Sequence, residues 1–297
     1  MRASGMRRTP PPIVYLYLAV IIVTWAANWP MMKLALADAP PLAFALLRMV
    51  GSLAIMAPLL LALGAPLLPE PGERLPLAGV GLLQVAGFLL CGIIGLSLVP
   101  PGRAIVLAYT MPLWAIPIGL WLWPEPFGRK QLLGAAIGFA GLVLFMNPGL
   151  VDWGSWRALA GNAMLVMAAL AWAFGSCLYR QRAWRSPVWP QTFWQLAVSG
   201  AAIAIVAAPS LAAGPIRWSP TLVAILAYNW LVTTALGYFL WSKVLEAMSA
   251  AVAGQVLALT PVGGYLLSAA LFGGGASWDV ALSIALIVVG IALTLGR

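Results

Sequence analysis

The stretch from Pro101 to Asn147 returns at Ala250 to Gly296 with a fixed offset of 149 positions. Ala104 falls on Ala253, Pro112 on Pro261, Leu122 on Leu271, Leu133 on Leu282, Ala136 on Ala285, Gly141 on Gly290 and Leu144 on Leu293. Ala and Leu coincide often in so apolar a chain, so the matched Pro and Gly carry the argument. The first copy is two apolar runs separated by a charged break at Glu125 to Lys130. Each run is about 20 residues, the length of one helical bilayer crossing. The chain reads as one half written twice.

The first part of each half repeats as well, now with an offset of 147: Leu18 on Leu165, Trp25 on Trp172, Ala26 on Ala173, Pro40 on Pro187 and Ser52 on Ser199. A two-residue insertion in a loop accounts for the change of offset. Taking about 20 apolar residues per crossing places spans near 13–36, 41–64, 75–97, 101–123, 129–147, 158–180, 190–212, 221–246, 250–273 and 278–296. Connections carry Pro and Gly and none is long enough for a soluble domain. The predicted fold class is an all-α integral membrane protein, ten transmembrane helices in two five-helix repeats, residues 1–150 and 151–297. Because five is odd, the second half enters the membrane from the opposite side. That is the inverted repeat of transporters whose substrate site lies near mid-membrane.

Composition agrees. Only 8% of the residues are charged and 63% are hydrophobic, whereas a soluble globule has roughly a quarter of its residues charged. The net charge of +9 comes from basic residues that sit singly or in small groups between apolar runs, a pattern of topology determinants rather than a nucleic-acid groove. With the N-terminus cytoplasmic, that side receives 11 of the 16 basic residues and the other only Lys33, Arg103, Arg157 and Arg217, with Arg48 inside a span. The bias puts both termini in the cytoplasm. The first apolar run lasts about 24 residues without a small-residue cleavage site, so it reads as a retained helix and not a signal peptide. Cys91 and Cys177 lie inside spans and read as packing residues.

The ten-span pattern, the duplicated halves, the span ending in Glu125 before the Gly-rich GAAIGFAGLVLF and its counterpart SIALIVVGIALTL resemble the drug/metabolite transporter superfamily with paired EamA-type domains. Within it the chain is most similar to bacterial amino-acid and metabolite exporters, the aromatic amino-acid exporters among them. The resemblance implies a multi-pass inner-membrane exporter of amino acids and related metabolites, working by alternating access. It also implies a cavity built from the first four helices of each half, with the fifth and tenth peripheral. One departure is plain: Trp123-Pro-Glu125 in the first half faces Phe272-Gly-Gly-Gly275 in the second, so the acidic residue has no counterpart.

No catalytic or metal constellation is visible: the chain has no His, and all seven acids fall at or near predicted helix ends. The expectation is therefore no enzyme, no cofactor, no metal, and facilitated transport or exchange rather than obligatory proton coupling. Transport of a drug, sugar or nucleotide sugar, a channel, and a membrane enzyme are the alternatives. Arg48 is the one strongly ionic group inside a span; it binds a substrate carboxylate, pairs with backbone carbonyls, or snorkels to the interface. Its repeat mate is Gln195. Trp25, Asn28, Gln84, Tyr109, Trp172, Ser176, Thr234, Tyr238 and Gln255 are the remaining candidate substrate-binding residues, since polar groups at mid-span turn inward to another helix or to a wet cavity. Asn28 and Gln255 rank first because an amide serves both the amine and the carboxylate of an amino acid. Trp25 and Trp172 are symmetry mates that form an aromatic wall or simply pack. Pro112 and Pro261 predict matched kinks, hinges or static bends. Gly134, Gly138 and Gly141 permit close helix contact within the bundle or between two copies, a monomer being favoured. The partners expected are amino acids and the bilayer, with no nucleic acid.

Overall fold

A computed structural model describes residues 10–99, 101–121, 128–146, 155–211, 215–272 and 278–295. They form ten helical spans: α1 (Pro12–Ala35), α2 (Pro41–Ala62), α3 (Pro71–Leu98), α4 (Pro101–Ala108 continued by Met111–Trp121), α5 (Arg129–Met146), α6 (Trp156–Arg180), α7 (Val188–Leu211), α8 (Pro220–Ala247), α9 (Ala250–Leu257 continued by Leu259–Phe272) and α10 (Trp278–Leu295). No strand occurs among the described residues. Eight spans are long and apolar enough in one run to cross a bilayer, and α9 contributes a shorter apolar helix. Remaining α5 opens on Arg129-Lys130-Gln131, which lowers its hydropathy. Pro stands at the first helical position of α1, α2, α3 and α8, where its missing N–H costs no helical bond. Ser155, Ser219 and Ser249 cap α6, α8 and α9 through their hydroxyls. Val23, Leu61, Ile205, Val288 and Val289 are exposed, so the outer surface is apolar, as lipid requires.

The two halves meet as an inverted repeat down to single bonds. Ser52 Oγ shares its hydrogen between the carbonyls of Arg48 on its own helix, 2.9 Å, and Trp230, 3.1 Å, and its mate Ser199 Oγ shares its own between Gln195, 2.6 Å, and Gly81, 2.8 Å. Gly81 and Trp230 are themselves mates at the 149 offset. Thus α2 is tied to α8 as α7 is tied to α3. The carbonyls they hold lie in, or at the start of, two wider turns, Gly81–Gly87 in α3 and Asn229–Leu236 in α8. There the backbone bonds reach five residues back, Phe88 N–H to Leu83 and Gly237 N–H to Val232. Nothing in the composition of these segments announces that turn. The change of offset lies partly in a helix: α7 has 24 residues where α2 has 22.

Helices α5 and α10 form the other symmetric pair. A Cβ on Gly290 would stand 2.5 Å from Gly138 N and 2.6 Å from Gly134 O, and one on its mate Gly141 would stand 2.8 Å from Ser283 O. Backbone meets backbone, so the Gly spacing seen in the sequence serves contact inside the bundle. The fourth and ninth spans break where Pro removes a donor: α4 between Ala108 and Met111, one residue before Pro112, and α9 at Ala258, three residues before Pro261. Near span ends, Trp121, Trp156, Trp218 and Trp278 are exposed, as an interfacial aromatic belt requires. Trp184 and Trp189 are half-buried instead, the first bonded to Tyr179 O and the second stacked on Phe239 at 4.0 Å. Glu125, Trp123 and Trp153 lie outside the described residues.

Candidate substrate cavity

Helix α1 presents Trp25, Asn28, Trp29 and Met32 along one face, the spacing that lines up successive turns. They bound a cavity, about 450 Å³ of empty space with its open mouth included, completed by Arg48 of α2, by Phe88, Leu89, Gly92 and Ile93 of α3, by Tyr109 of α4, by Trp172 of α6 and by Tyr238 of α8. Both halves contribute, though among the described residues none of α5, α7, α9 or α10 lines it. Six of the ten candidate residues therefore share one space: Trp25, Asn28, Arg48, Tyr109, Trp172 and Tyr238.

One end of the cavity is an aromatic plug. Trp25 and Trp172 meet edge to face at 5.2 Å and 86°, Trp172 stands 5.8 Å from Tyr238 and 5.5 Å from Trp241, and Phe88 abuts Trp172 at 4.9 Å. Trp25 Nε1 donates to Thr233 O at 3.1 Å, and its ring lies so close to Gly237 that a Cβ there would be 2.6 Å from Nε1. Only glycine admits the ring at that point. The plug sits toward the face where α6 and α8 end, while Arg48, seven residues into α2 from the opposite face, marks the other part of the cavity.

Arg48 does not snorkel. It is 7% exposed, donates from Nε to Thr234 Oγ1 at 2.7 Å and from Nη1 to Met32 Sδ at 3.8 Å, and no carboxylate pairs with it among the described residues. The described acids are engaged elsewhere: Asp38 with Arg217 and Ser219, Glu73 with the backbone N–H groups of Arg185 and Ser186, Glu246 with Lys243. Two other polar atoms at the cavity wall lack partners, Asn28 Oδ1 and Trp172 Nε1. Unmet hydrogen-bonding capacity in a buried wall is costly, and a polar ligand meets it.

The other four candidates stand elsewhere. Thr234 reaches the site only through Arg48. Gln84 Nε2 donates to Ser176 Oγ at 2.6 Å, a bridge between α3 and α6 that leaves neither on the lining. Gln255 is a staple: Nε2 donates to Gly134 O at 2.8 Å and Oε1 accepts from Thr294 at 2.9 Å, tying α9 to α5 and α10. It borders a second, apolar cavity of about 330 Å³ together with Pro112, Gly138 and Ile291. Leu89, Gly92 and Ile93 of the lining are not legible in the sequence, because an apolar residue mid-span carries no sign of facing a void.

The EamA-like transporter family matches twice along the chain, at residues 12–147 and 159–296. The transporter YoaV of Bacillus subtilis is 25% identical over 254 residues, 84% of this chain and 86% of that protein. A Salmonella typhimurium protein bearing the description "Probable amino-acid metabolite efflux pump" is 26% identical over 266 residues, 86% of this chain and 85% of that protein. The inner membrane transporter YedA of Escherichia coli K12 is 25% identical over 288 residues, 94% and 90% of the two chains. A solved crystal structure superposes with a TM-score of 0.76 over 95% of this chain and 96% of that one at 21% identity, a likeness of fold.

Proposed function

The chain belongs to the EamA-like transporter family, and from that premise we propose that it exports amino acids and related small metabolites across the cytoplasmic membrane by alternating access. The observation that carries this reading is the cavity walled by both repeats, where an aromatic box for an apolar side chain adjoins Arg48 for a carboxylate and Asn28 for an amine. The similarity to the Salmonella typhimurium protein points the same way. A sugar phosphate or nucleotide sugar calls for several cationic side chains, and here one guanidinium serves the site. No carboxylate borders the cavity among the described residues, so transport is facilitated or by exchange rather than driven by an obligatory proton. The protein acts as a monomer with both termini in the cytoplasm. The close glycine contacts of α5 and α10 are used inside the bundle, and the basic residues cluster on one side.

The test is uptake of labelled phenylalanine and leucine into proteoliposomes, with and without an imposed pH gradient. Saturable uptake, indifferent to the gradient, lost in Asn28→Ala and kept in the exposed-site variant Lys243→Ala is expected. Absence of saturable flux for every amino acid tried would overturn the substrate assignment.

A further inference from the structure

We infer that, within this substrate range, the cavity selects monoanionic carboxylates with an apolar or aromatic body, the 2-oxo and 2-hydroxy acids and their unsubstituted analogues, over zwitterionic amino acids. The inference rests on the reading of the cavity as the transport site. It follows from the charge on its wall. Arg48 carries a permanent positive charge at 7% exposure, and among the described residues no carboxylate approaches it. A guanidinium does not lose its proton. The site is therefore cationic within the membrane, where an uncompensated charge is costly. A monoanion brings the complex to neutrality. A zwitterion leaves the net charge at one and places its ammonium within a few bonds of the carboxylate that Arg48 holds, so the ammonium and the guanidinium repel each other in a medium of low dielectric.

The hydrogen-bonding inventory agrees. Arg48 commits Nε to Thr234 and Nη1 to the weak acceptor Met32 Sδ, and among the described residues Nη2 makes no hydrogen bond. Trp172 Nε1 is a second donor without a partner. Against these, the buried side-chain acceptor left unmet on the lining, among the described residues, is Asn28 Oδ1. A ligand with acceptors and no cationic group matches such a wall, its carboxylate meeting Arg48. The ring or branched chain of the ligand lies against Trp25, Trp29 and Tyr109.

The experiment is competition in proteoliposomes of the full chain, followed by uptake under an imposed membrane potential. The probes are phenylpyruvate, 3-phenylpropionate and phenylalanine, which share a ring and differ in charge and acceptors. The expected result is that both acids compete at least tenfold more strongly than phenylalanine, and that an interior-negative potential slows entry of the acids while leaving phenylalanine unaffected. In Arg48→Gln the preference for the acids collapses, and in Arg48→Lys, which keeps the charge, it persists at lower affinity. The wild-type potential dependence makes the test independent of how those variants fold. Equal or stronger competition by phenylalanine overturns the inference and leaves the cavity as the transport site. Failure of all three probes to be taken up or to compete overturns both.

Discussion

Trp25 and Trp172, 147 positions apart in the sequence and equivalent in the two repeats, meet with their ring centroids 5.2 Å apart and their planes at 86°. The pseudo-twofold axis that relates the halves thus passes beside this contact, and the rings close one end of the cavity. The symmetry ends at the ring nitrogens. Trp25 Nε1 is bonded to Thr233 O, whereas Trp172 Nε1 has no partner.

That difference predicts unequal responses to the same substitution. Trp25→Phe loses a buried hydrogen bond to the Thr233 carbonyl, costing about 1 kcal/mol. Trp172→Phe removes an unpaired donor and costs less than Trp25→Phe, while weakening ligand binding. Thermal unfolding of both variants in one detergent, with ligand binding measured in parallel, checks the order.

At the α5–α10 contact, Gly290→Ala forces a methyl against backbone atoms at 2.5–2.6 Å, which cannot swing aside. The expected loss is about 1–3 kcal/mol by overpacking. Gly72→Ala, in the first turn of α3 with nothing within 4 Å of its Cβ, is the control, and its stability stays unchanged or rises by a few tenths of a kcal/mol. Melting temperatures of the two variants side by side decide it.

Ser52 and Ser199 each hold a carbonyl of a wide turn across the interface between repeats. Ser52→Ala and Ser199→Ala are each expected to cost about 1 kcal/mol. The pair has no shared partner, so the double variant shows the sum to within about 0.5 kcal/mol. A double variant no worse than either single would mean that the two bonds do not act independently.

Arg48 separates function from stability. Because no acid pairs with it among the described residues, Arg48→Met orphans no countercharge and removes a buried charge whose desolvation is costly. The expected outcome is a melting temperature equal to or above that of the natural protein, together with at least a tenfold loss of carboxylate binding. A large fall in melting temperature would instead give Arg48 a structural role.

How far the sequence reveals these features follows from what each residue type announces. The hydropathy runs and the matched Pro and Gly announce ten helices in two repeats, since lipid imposes span length and a proline imposes a break. They also bring six of the ten candidates to one cavity, because aromatic and polar side chains at mid-depth turn inward. Which inward space they enter is not legible. Gln84 finds Ser176 and Gln255 finds Gly134 and Thr294, and an amide satisfied by a neighbouring helix reads the same as one that faces a void. The wide turns of α3 and α8 are equally silent, because their residues suit an ordinary helix and tertiary contact selects the looser one. Arg48 shows the converse: its depth of seven residues permits snorkelling, but the bond to Thr234 on α8, far away in sequence, holds it inside.

The central claim, that Asn28 lines a cavity between the repeats which substrate enters from the water, is tested most directly by thiol accessibility. In a background with Cys91 and Cys177 replaced, Asn28→Cys and Ala26→Cys lie two residues apart on α1, the first on the cavity wall and the second buried against α9 at Gly263. A membrane-impermeant thiol reagent added outside whole cells is predicted to modify Asn28→Cys and to leave Ala26→Cys untouched. If both resist modification from either side of the membrane, or both react alike, the account of this cavity is contradicted.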